Sequence, residues 1–240
     1  LLLMGVDRVF ARRGPLLFVC VLAWTFLSSF YDAYMACILL VMYCLVQFFW
    51  GVEAGRPRKG RAGRLLGWVG VFVGYVTLAL LLSCVLFLPQ VMSLVGADRL
   101  GVERVVGALY DLSYYEHLFT GFISWACMGS DSFTGFNALA PIALVLLVLR
   151  RRSHRPLLVA FVVLSVMILL PVFGSLMNGL QYPANRWAWA YNLCVAYIIA
   201  RLLPEVLSMT ARERRVVAWV VIVYGALVLA LPLPGRNMTF

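Results

Sequence analysis

Residues 15–50, PLLFVCVLAWTFLSSFYDAYMACILLVMYCLVQFFW, contain no basic residue and one acid, Asp32. A helix needs about 20 apolar residues to cross a bilayer, or about 17 at the short end. Thirty-six residues are too many for one crossing and just enough for two short ones. The natural turn is Ser28-Ser29-Phe30-Tyr31-Asp32, which is small, polar and aromatic. The run therefore predicts a hairpin of two spans, 15–28 and 31–50, with its tip at 28–32.

The same length test, carried outward, places further spans at 65–89, 137–149, 156–177, 187–203 and 216–234, seven in all. Composition agrees with this picture. The chain has 240 residues, 64% of them hydrophobic and 12% charged, with a mean hydropathy of +0.95. Soluble domains average about 45–50% apolar and about 25% charged. These values exclude a soluble enzyme, a disordered tail and a basic nucleic-acid binder, so no nucleic-acid partner is expected. The expected fold class is all-α: a polytopic transmembrane helical bundle forming one transmembrane domain over 1–240. Leu1-Leu2-Leu3-Met4 reads as the interior of a longer protein, and there is no signal-peptide pattern.

The net charge of +10 is mainly a topology signal. Basic clusters fall at Arg8, Arg12 and Arg13; at Arg56, Arg58, Lys59, Arg61 and Arg64; at Arg150, Arg151, Arg152 and Arg155; and at Arg201, Arg212, Arg214 and Arg215. Two predicted spans separate each cluster from the next, so all four share one face, which the positive-inside rule makes cytoplasmic. Arg99, Arg104, Arg186 and Arg236 fall on the other face, as do Asp32, Asp98, Glu103, Asp111, Glu116 and Asp131. Outward segments are the turn near 28–32, a long loop at 90–136 and a short one near 178–186. Structureless loops longer than about 12–15 residues are usually functional. Within the long loop, DRLGVERVVGALY (98–110) has Leu100, Val105, Val106 and Leu109 on one helical face and predicts a surface helix.

The candidate site residues gather in these outward segments. Asp32, beside Tyr31 and Tyr34, could accept a proton from a sugar hydroxyl or hold a cation. It could equally be the N-cap of the span that follows. NGLQYPANRW (178–187) is the densest polar run, with Asn178, Gln181, Asn185 and Arg186 beside Tyr182 and Trp187. An arginine on the outward face runs against the charge bias, and its planar fork suits a phosphate. Amides and aromatic faces suit a sugar or a lipid headgroup, although Trp and Tyr also anchor helix ends at the membrane interface. Glu116, His117 and Asp131 could act on an acceptor or be solvated loop charges. His154, among arginines, carries no function in this reading.

Gly63, Gly67, Gly70 and Gly74 make a small-residue stripe that predicts close helix packing. The six cysteines form no CxxC and no Cys/His cluster, so neither a disulfide frame nor a zinc site is expected, and no cofactor is implied. Asn237-Met238-Thr239 fits a glycosylation sequon, which nothing else in the chain supports. The spans lack the midplane acids of ion-coupled transporters, and there is no P-loop or dinucleotide fingerprint.

Three stretches carry a family resemblance. PVFGSLMNGLQYPANRWAWAYNLCVAYIIA (171–200) resembles the signature region of bacterial YfhO-type membrane proteins. In that region an outward segment ends in Asn-Gly or His-Gly, and a loop leads to an Arg-aromatic pair opening the next span. SSFYDAYMACILLVMYCLVQFF (28–49) resembles the family's aromatic-rich segment, with Ser29 where the family often has asparagine. VLFLPQVMSLVGADR (85–99) resembles its Leu-Pro segment before the main outer loop.

The resemblance implies a GT-C-like fold in the bacterial cytoplasmic membrane, with an extracytoplasmic active face. It implies a glycosyltransferase that takes sugar from a polyprenyl-phosphate donor and passes it to a cell-envelope acceptor, a glycan or lipid such as a lipoteichoic acid. It also implies that the principal catalytic acid lies in an outer loop preceding Leu1. The rivals are a lipid or glycan transporter and a non-catalytic scaffold of envelope assembly.

Overall fold

The computed structural model describes residues 1–55, 57, 59–95, 107–123, 135–180 and 182–230. The surface helix expected at 98–110 falls outside this set up to residue 106, and residues 107–110 are not helical. Asp131, Gln181, Cys127 and the 237–239 sequon also lie outside the described residues. The described residues are mostly helical and contain no strand. They pack as two compact units, Leu1–Glu103 and Arg104–Phe240.

The first unit holds α1 (Leu2–Phe10), α2 (Leu16–Ser28), α3 (Phe30–Val46) and α4 (Arg61–Val95), with α3 prolonged by a π-helical turn, Gln47–Val52. The expected hairpin is present as α2 and α3, and its tip is built by two polar side chains. Ser29 is extended and caps α3, its Oγ accepting the Asp32 N–H at 3.3 Å. Gln90 of α4 accepts the Phe30 N–H at 3.0 Å and donates to the Leu27 carbonyl at 3.5 Å. One amide therefore serves the end of α2 and the start of α3, where helix ends leave backbone groups without intrahelical partners.

α1 was not anticipated. Its Val6 and Val9 are buried, and Gly5 is required because a Cβ there would lie 2.8 Å from the Phe18 Cα. α4 packs through an apolar stripe at helical spacing: Trp68, Phe72, Val76, Ala79 and Phe87. Phe72 meets Phe10 and Phe18, and Phe87 meets Phe26 and Phe30, with ring centroids 5.1–5.6 Å apart. The expectation that the glycine stripe packs against another helix is corrected here. A Cβ at Gly63, Gly67, Gly70 or Gly74 would meet nothing within 4 Å, because the aromatic stripe is the face that α2 covers.

The second unit holds α5 (Leu112–Thr120), α6 (Leu139–Leu149), α7 (Arg155–Leu169), α8 (Pro171–Met177), α9 (Ala188–Leu207) and α10 (Ala211–Ala230). Ala143 and Leu147 of α6 pack on Ile198 and Leu202 of α9, with Leu158 and Phe161 of α7 beside them. The span expected at 156–177 is two helices bent by 94°. Pro171 has no N–H to continue the ladder and its ring excludes the preceding turn, so the chain stops at an extended Leu170 and restarts.

Among the described residues, three helices are long and apolar enough to cross a membrane: Phe30–Val52, Arg61–Ser93 and Ala188–Leu207. The bent α7–α8 pair makes a fourth if it counts as one span, and α2 and α6 are shorter apolar helices.

Each unit has a polar end built around acids that the sequence places among arginines. In the first, Asp7 Oδ1 accepts from Tyr43 Oη at 2.9 Å and Gln47 Nε2 at 2.7 Å. The buried Glu53 accepts from Arg64 Nε at 2.7 Å and Nη2 at 2.5 Å, with Arg61 Nε 3.8 Å away. In the second, Arg150 donates two bonds to Glu213, at 2.9 and 3.0 Å, and one to Glu205 at 2.9 Å. Glu205 also meets His154 Nε2 at 2.8 Å. His154, itself buried, is therefore part of a partly buried network with Arg150, Glu205 and Glu213, where the sequence reading gave it no role. The network gathers the C-terminal ends of α6 and α9 with the N-terminal ends of α7 and α10.

Hydrogen bonds from Arg150, then from Thr210, hold the Glu213 carboxyl down to about 2, against an ordinary 4.5. A depressed carboxyl contributes stability that is complete above its unfolded pKa and is lost as pH falls through the folded one. Glu213→Gln should therefore lower the thermal midpoint at pH 7, and the gap from wild type should close as pH falls from above 4.5 toward 2. Thermal unfolding across that range in detergent checks this.

Candidate functional site

The broken helix organises the polar end of the second unit that lies opposite the ion network. Where α7 stops, its last carbonyls need donors. α5 supplies two: Tyr114 Oη donates to the Ile168 carbonyl at 2.8 Å and Tyr115 Oη to the Leu169 carbonyl at 2.9 Å. Backbone freed inside a membrane protein survives only where protein or water satisfies it, and these tyrosines do so. Tyr110 stacks on Tyr114 with centroids 4.0 Å apart.

Asn185 ties the layer to α9. Its Nδ2 donates to Tyr114 Oη at 2.7 Å and Tyr110 Oη at 3.2 Å, and its Oδ1 accepts from Trp187 Nε1 at 3.2 Å. Asn185 is 2% exposed and Trp187 0%. The Trp187 ring therefore presents no face to a ligand, and Asn185 acts as a buried brace. Asn178 is also buried, its Nδ2 donating to the Tyr182 carbonyl at 2.8 Å. That bond closes a turn in which Gly179 and Leu180 both take positive φ, 67° and 62°.

Arg186 and Tyr182 stand on this frame and are exposed. Arg186 Nη2 lies 3.5 Å from Tyr182 Oη, so a guanidinium and a phenol point into the same surface region. Glu116 is half-buried and His117 exposed on α5, a helix where the sequence suggested loop. Tyr191 of α9 is buried and stacks on Phe161, with ring centroids 5.8 Å apart.

Next to the layer lies a cavity of about 540 Å³, lined by Tyr115, Phe119, Ile168, Leu169, Tyr191 and Tyr224 among others. The hydroxyls of Tyr115 and Tyr224 are bonded to backbone carbonyls, the latter to Phe119 at 2.7 Å. The space is therefore largely apolar and suits hydrocarbon.

Of the candidate residues, Arg186, Tyr182, Asn178, Asn185, Trp187, Glu116 and His117 lie in the second unit, while Tyr31 and Asp32 lie in the first. Asp32 is exposed in the first turn of α3 and is not its N-cap, a place Ser29 takes. The described residues include no cluster of three or more His, Cys, Asp or Glu able to hold a metal ion.

Sequence reasoning assigned no role to Tyr110, Tyr114 or Tyr115 of YDLSYYEHLF (110–119). The available signal was Pro171, since a proline inside an expected span demands outside donors for the carbonyls it orphans. Gly174 was also missed. A Cβ there would lie 2.6 Å from Tyr110 Oη and 3.2 Å from both the Ala184 N and Asn185 Oδ1. Gly174→Ala should cost about 1–3 kcal/mol of stability, the usual range for overpacking, which thermal unfolding in detergent would measure.

Apolar helices of spanning length, a broken helix and a buried polar layer that braces its break together define a helical membrane protein. The chain belongs to the family of bacterial membrane protein YfhO, whose model matches residues 1–237. No curated protein and no solved structure matches it.

Proposed function

We propose that the protein is a GT-C-like membrane glycosyltransferase of the bacterial cytoplasmic membrane that moves a sugar from a polyprenyl-phosphate donor to an envelope glycan or lipid. In this reading the chain crosses seven times, through α2, α3, α4, α6, the α7–α8 pair, α9 and α10. The arginine-rich ends are cytoplasmic and the tyrosine–asparagine layer faces outward. The observation that carries the reading is the Arg186–Tyr182 pair, an exposed cation and phenol held on a buried frame. The adjoining apolar cavity supports a substrate with a hydrocarbon part.

Arg186 takes the donor phosphate, with Tyr182 donating beside it. Asn178, Asn185 and Trp187 fix their positions, and Glu116 and His117 lie toward the acceptor. The acceptor hydroxyl attacks the anomeric carbon, the bond from that carbon to the phosphate oxygen breaks, and lipid phosphate leaves. The hydroxyl proton passes to a carboxylate acting as general base. Negative charge grows on the leaving phosphate, so Arg186 contributes mainly in the transition state.

The test is turnover of a polyprenyl-phosphate sugar by full-length Arg186→Ala and Arg186→Lys. Loss of one transition-state donor costs about 10²–10³ in kcat. Arg186→Ala should lose about that much and Arg186→Lys should recover part of it. Wild-type rates in both would contradict the assignment.

One observation favours a second reading. A discontinuous helix such as α7–α8 is the device by which many transporters build a substrate site. A transporter of lipid or glycan would move the labelled molecule without forming a new glycosidic bond.

A further inference from the structure

A second cavity, about 950 Å³, opens in the first unit between the end of α1, the segment that joins it to α2, and the start of α4. Phe10, Arg12, Arg64, Gly67, Trp68 and Tyr75 are among the residues that line it. Its chemistry is graded along α4. The lining has no carboxylate. Arg64 lies at one end of the α4 wall, with Arg12 also in the lining, and Gly67, Trp68, Val71 and Tyr75 follow Arg64 along the helix. The arginine end is therefore taken as the rim and the rest as the apolar depth. From Arg64 to Tyr75 the trough runs eleven residues of helix, about 16 Å at 1.5 Å per residue. That is close to half of the hydrocarbon thickness of about 30 Å, one leaflet, on a helix long and apolar enough to span.

The two arginines differ. Arg64 is fixed by Glu53 and by the Lys59 and Pro57 carbonyls, so its charge is already balanced. Arg12 is exposed, and its guanidinium is unpaired among the described residues. Its backbone is unusual. α1 ends with the Arg12 N–H on the Val9 carbonyl at 2.9 Å and the Arg13 N–H on the Arg8 carbonyl at 2.8 Å. That pair of bonds is a Schellman motif with Arg12 at the left-handed position, where φ is 55°. Glycine is the residue this position favours, and an arginine holds it at a conformational cost. The side chain so held stands at the rim of the trough.

Gly67 completes the geometry. A Cβ there would meet nothing within 4 Å, so the wall is bare backbone that a chain can lie against. A free phosphate would use the rim and leave the apolar depth idle. A glycerophospholipid uses both, with its headgroup at the arginines and an acyl chain down the trough.

We propose that this crevice binds one anionic phospholipid, its phosphate on Arg12 and one acyl chain along Gly67, Trp68 and Tyr75 of α4. The site is independent of the glycosyltransferase reading, because none of its residues belongs to the tyrosine–asparagine layer.

The test is native mass spectrometry of the full-length protein in detergent, titrated with dioleoyl phosphatidylglycerol and dioleoyl phosphatidylcholine. One cation near a headgroup corresponds to about fivefold in affinity. Wild type should hold phosphatidylglycerol about that much more tightly than phosphatidylcholine. Arg12→Gly suits the local φ, so it should keep or raise the thermal midpoint while reducing phosphatidylglycerol to the phosphatidylcholine level. Gly67→Leu fills the trough from an open position and should weaken both lipids. Arg215→Gln, with the same change in net charge as Arg12→Gly, should leave the preference intact. Wild-type lipid binding by both Arg12→Gly and Gly67→Leu would overturn the proposal. So would competition by inorganic phosphate at the same concentration, because the trough would then contribute nothing.

Discussion

Asn185→Leu is expected to lose about 3–4 kcal/mol of stability and to disorder the surface that carries Arg186. Three hydrogen bonds end at this amide, to Tyr110, Tyr114 and Trp187. Leucine has nearly the same size but offers no donor or acceptor. The Trp187 N–H is then left unpaired at a fully buried position, and a buried unsatisfied group costs about 1–3 kcal/mol. Tyr114 keeps its bond to the Ile168 carbonyl but is no longer held from the α9 side. The damage reaches the α7–α8 break through the same tyrosine. Thermal unfolding in detergent would give the loss, and a drop of less than about 1 kcal/mol would mean that the layer is not a coupled network. Asn185→Asp keeps the acceptor for Trp187 and loses the donors to the tyrosines, so it should fall between wild type and leucine.

The second large effect is expected at Glu53. Its side chain is fully buried, held by Arg64 and approached by Arg61. Removing one partner from a buried ion pair typically costs about 3–5 kcal/mol, because the other charge is left uncompensated. Both arginines are about a third exposed, 31% each, so water screens part of that loss. Glu53→Ala should therefore cost about 2–3 kcal/mol. Pairing it with Arg64→Met removes the orphaned cation and should recover part of the loss, giving a coupling that a double-mutant cycle measures. Strict additivity of the two substitutions would show that the pair contributes nothing.

The hairpin was legible because its logic is arithmetic. A mainly apolar run of thirty-six residues around Ser28–Asp32 allows little but α2 and α3. What closes that hairpin was not legible, since Gln90 lies sixty residues from Phe30 and no local pattern pairs them. The glycine stripe misled because spacing shows that residues share a face but not what covers it, and the aromatic stripe took the packing. The bend between α7 and α8 was not legible because hydropathy does not register a proline's missing donor.

At the candidate site, the run 178–187 was correctly singled out as polar, but its internal division was hidden. Which amides are buried braces and which groups reach the surface depends on Tyr110 and Tyr114, some seventy residues away. Sequence reading gave the four acids Asp7, Glu53, Glu205 and Glu213 no role. Each proves to be hydrogen-bonded or ion-paired within its unit.

The most direct test of the proposed function follows the fate of the sugar. Full-length protein is reconstituted in vesicles with a polyprenyl-phosphate sugar labelled in the sugar and an envelope glycan or lipid acceptor, and the label is traced after extraction. The account predicts label joined to acceptor through a new glycosidic bond, with free polyprenyl phosphate in equal amount, and near-complete loss of both in Arg186→Ala. Label that crosses the bilayer still attached to its lipid, with wild-type and Arg186→Ala proteins alike, would contradict it.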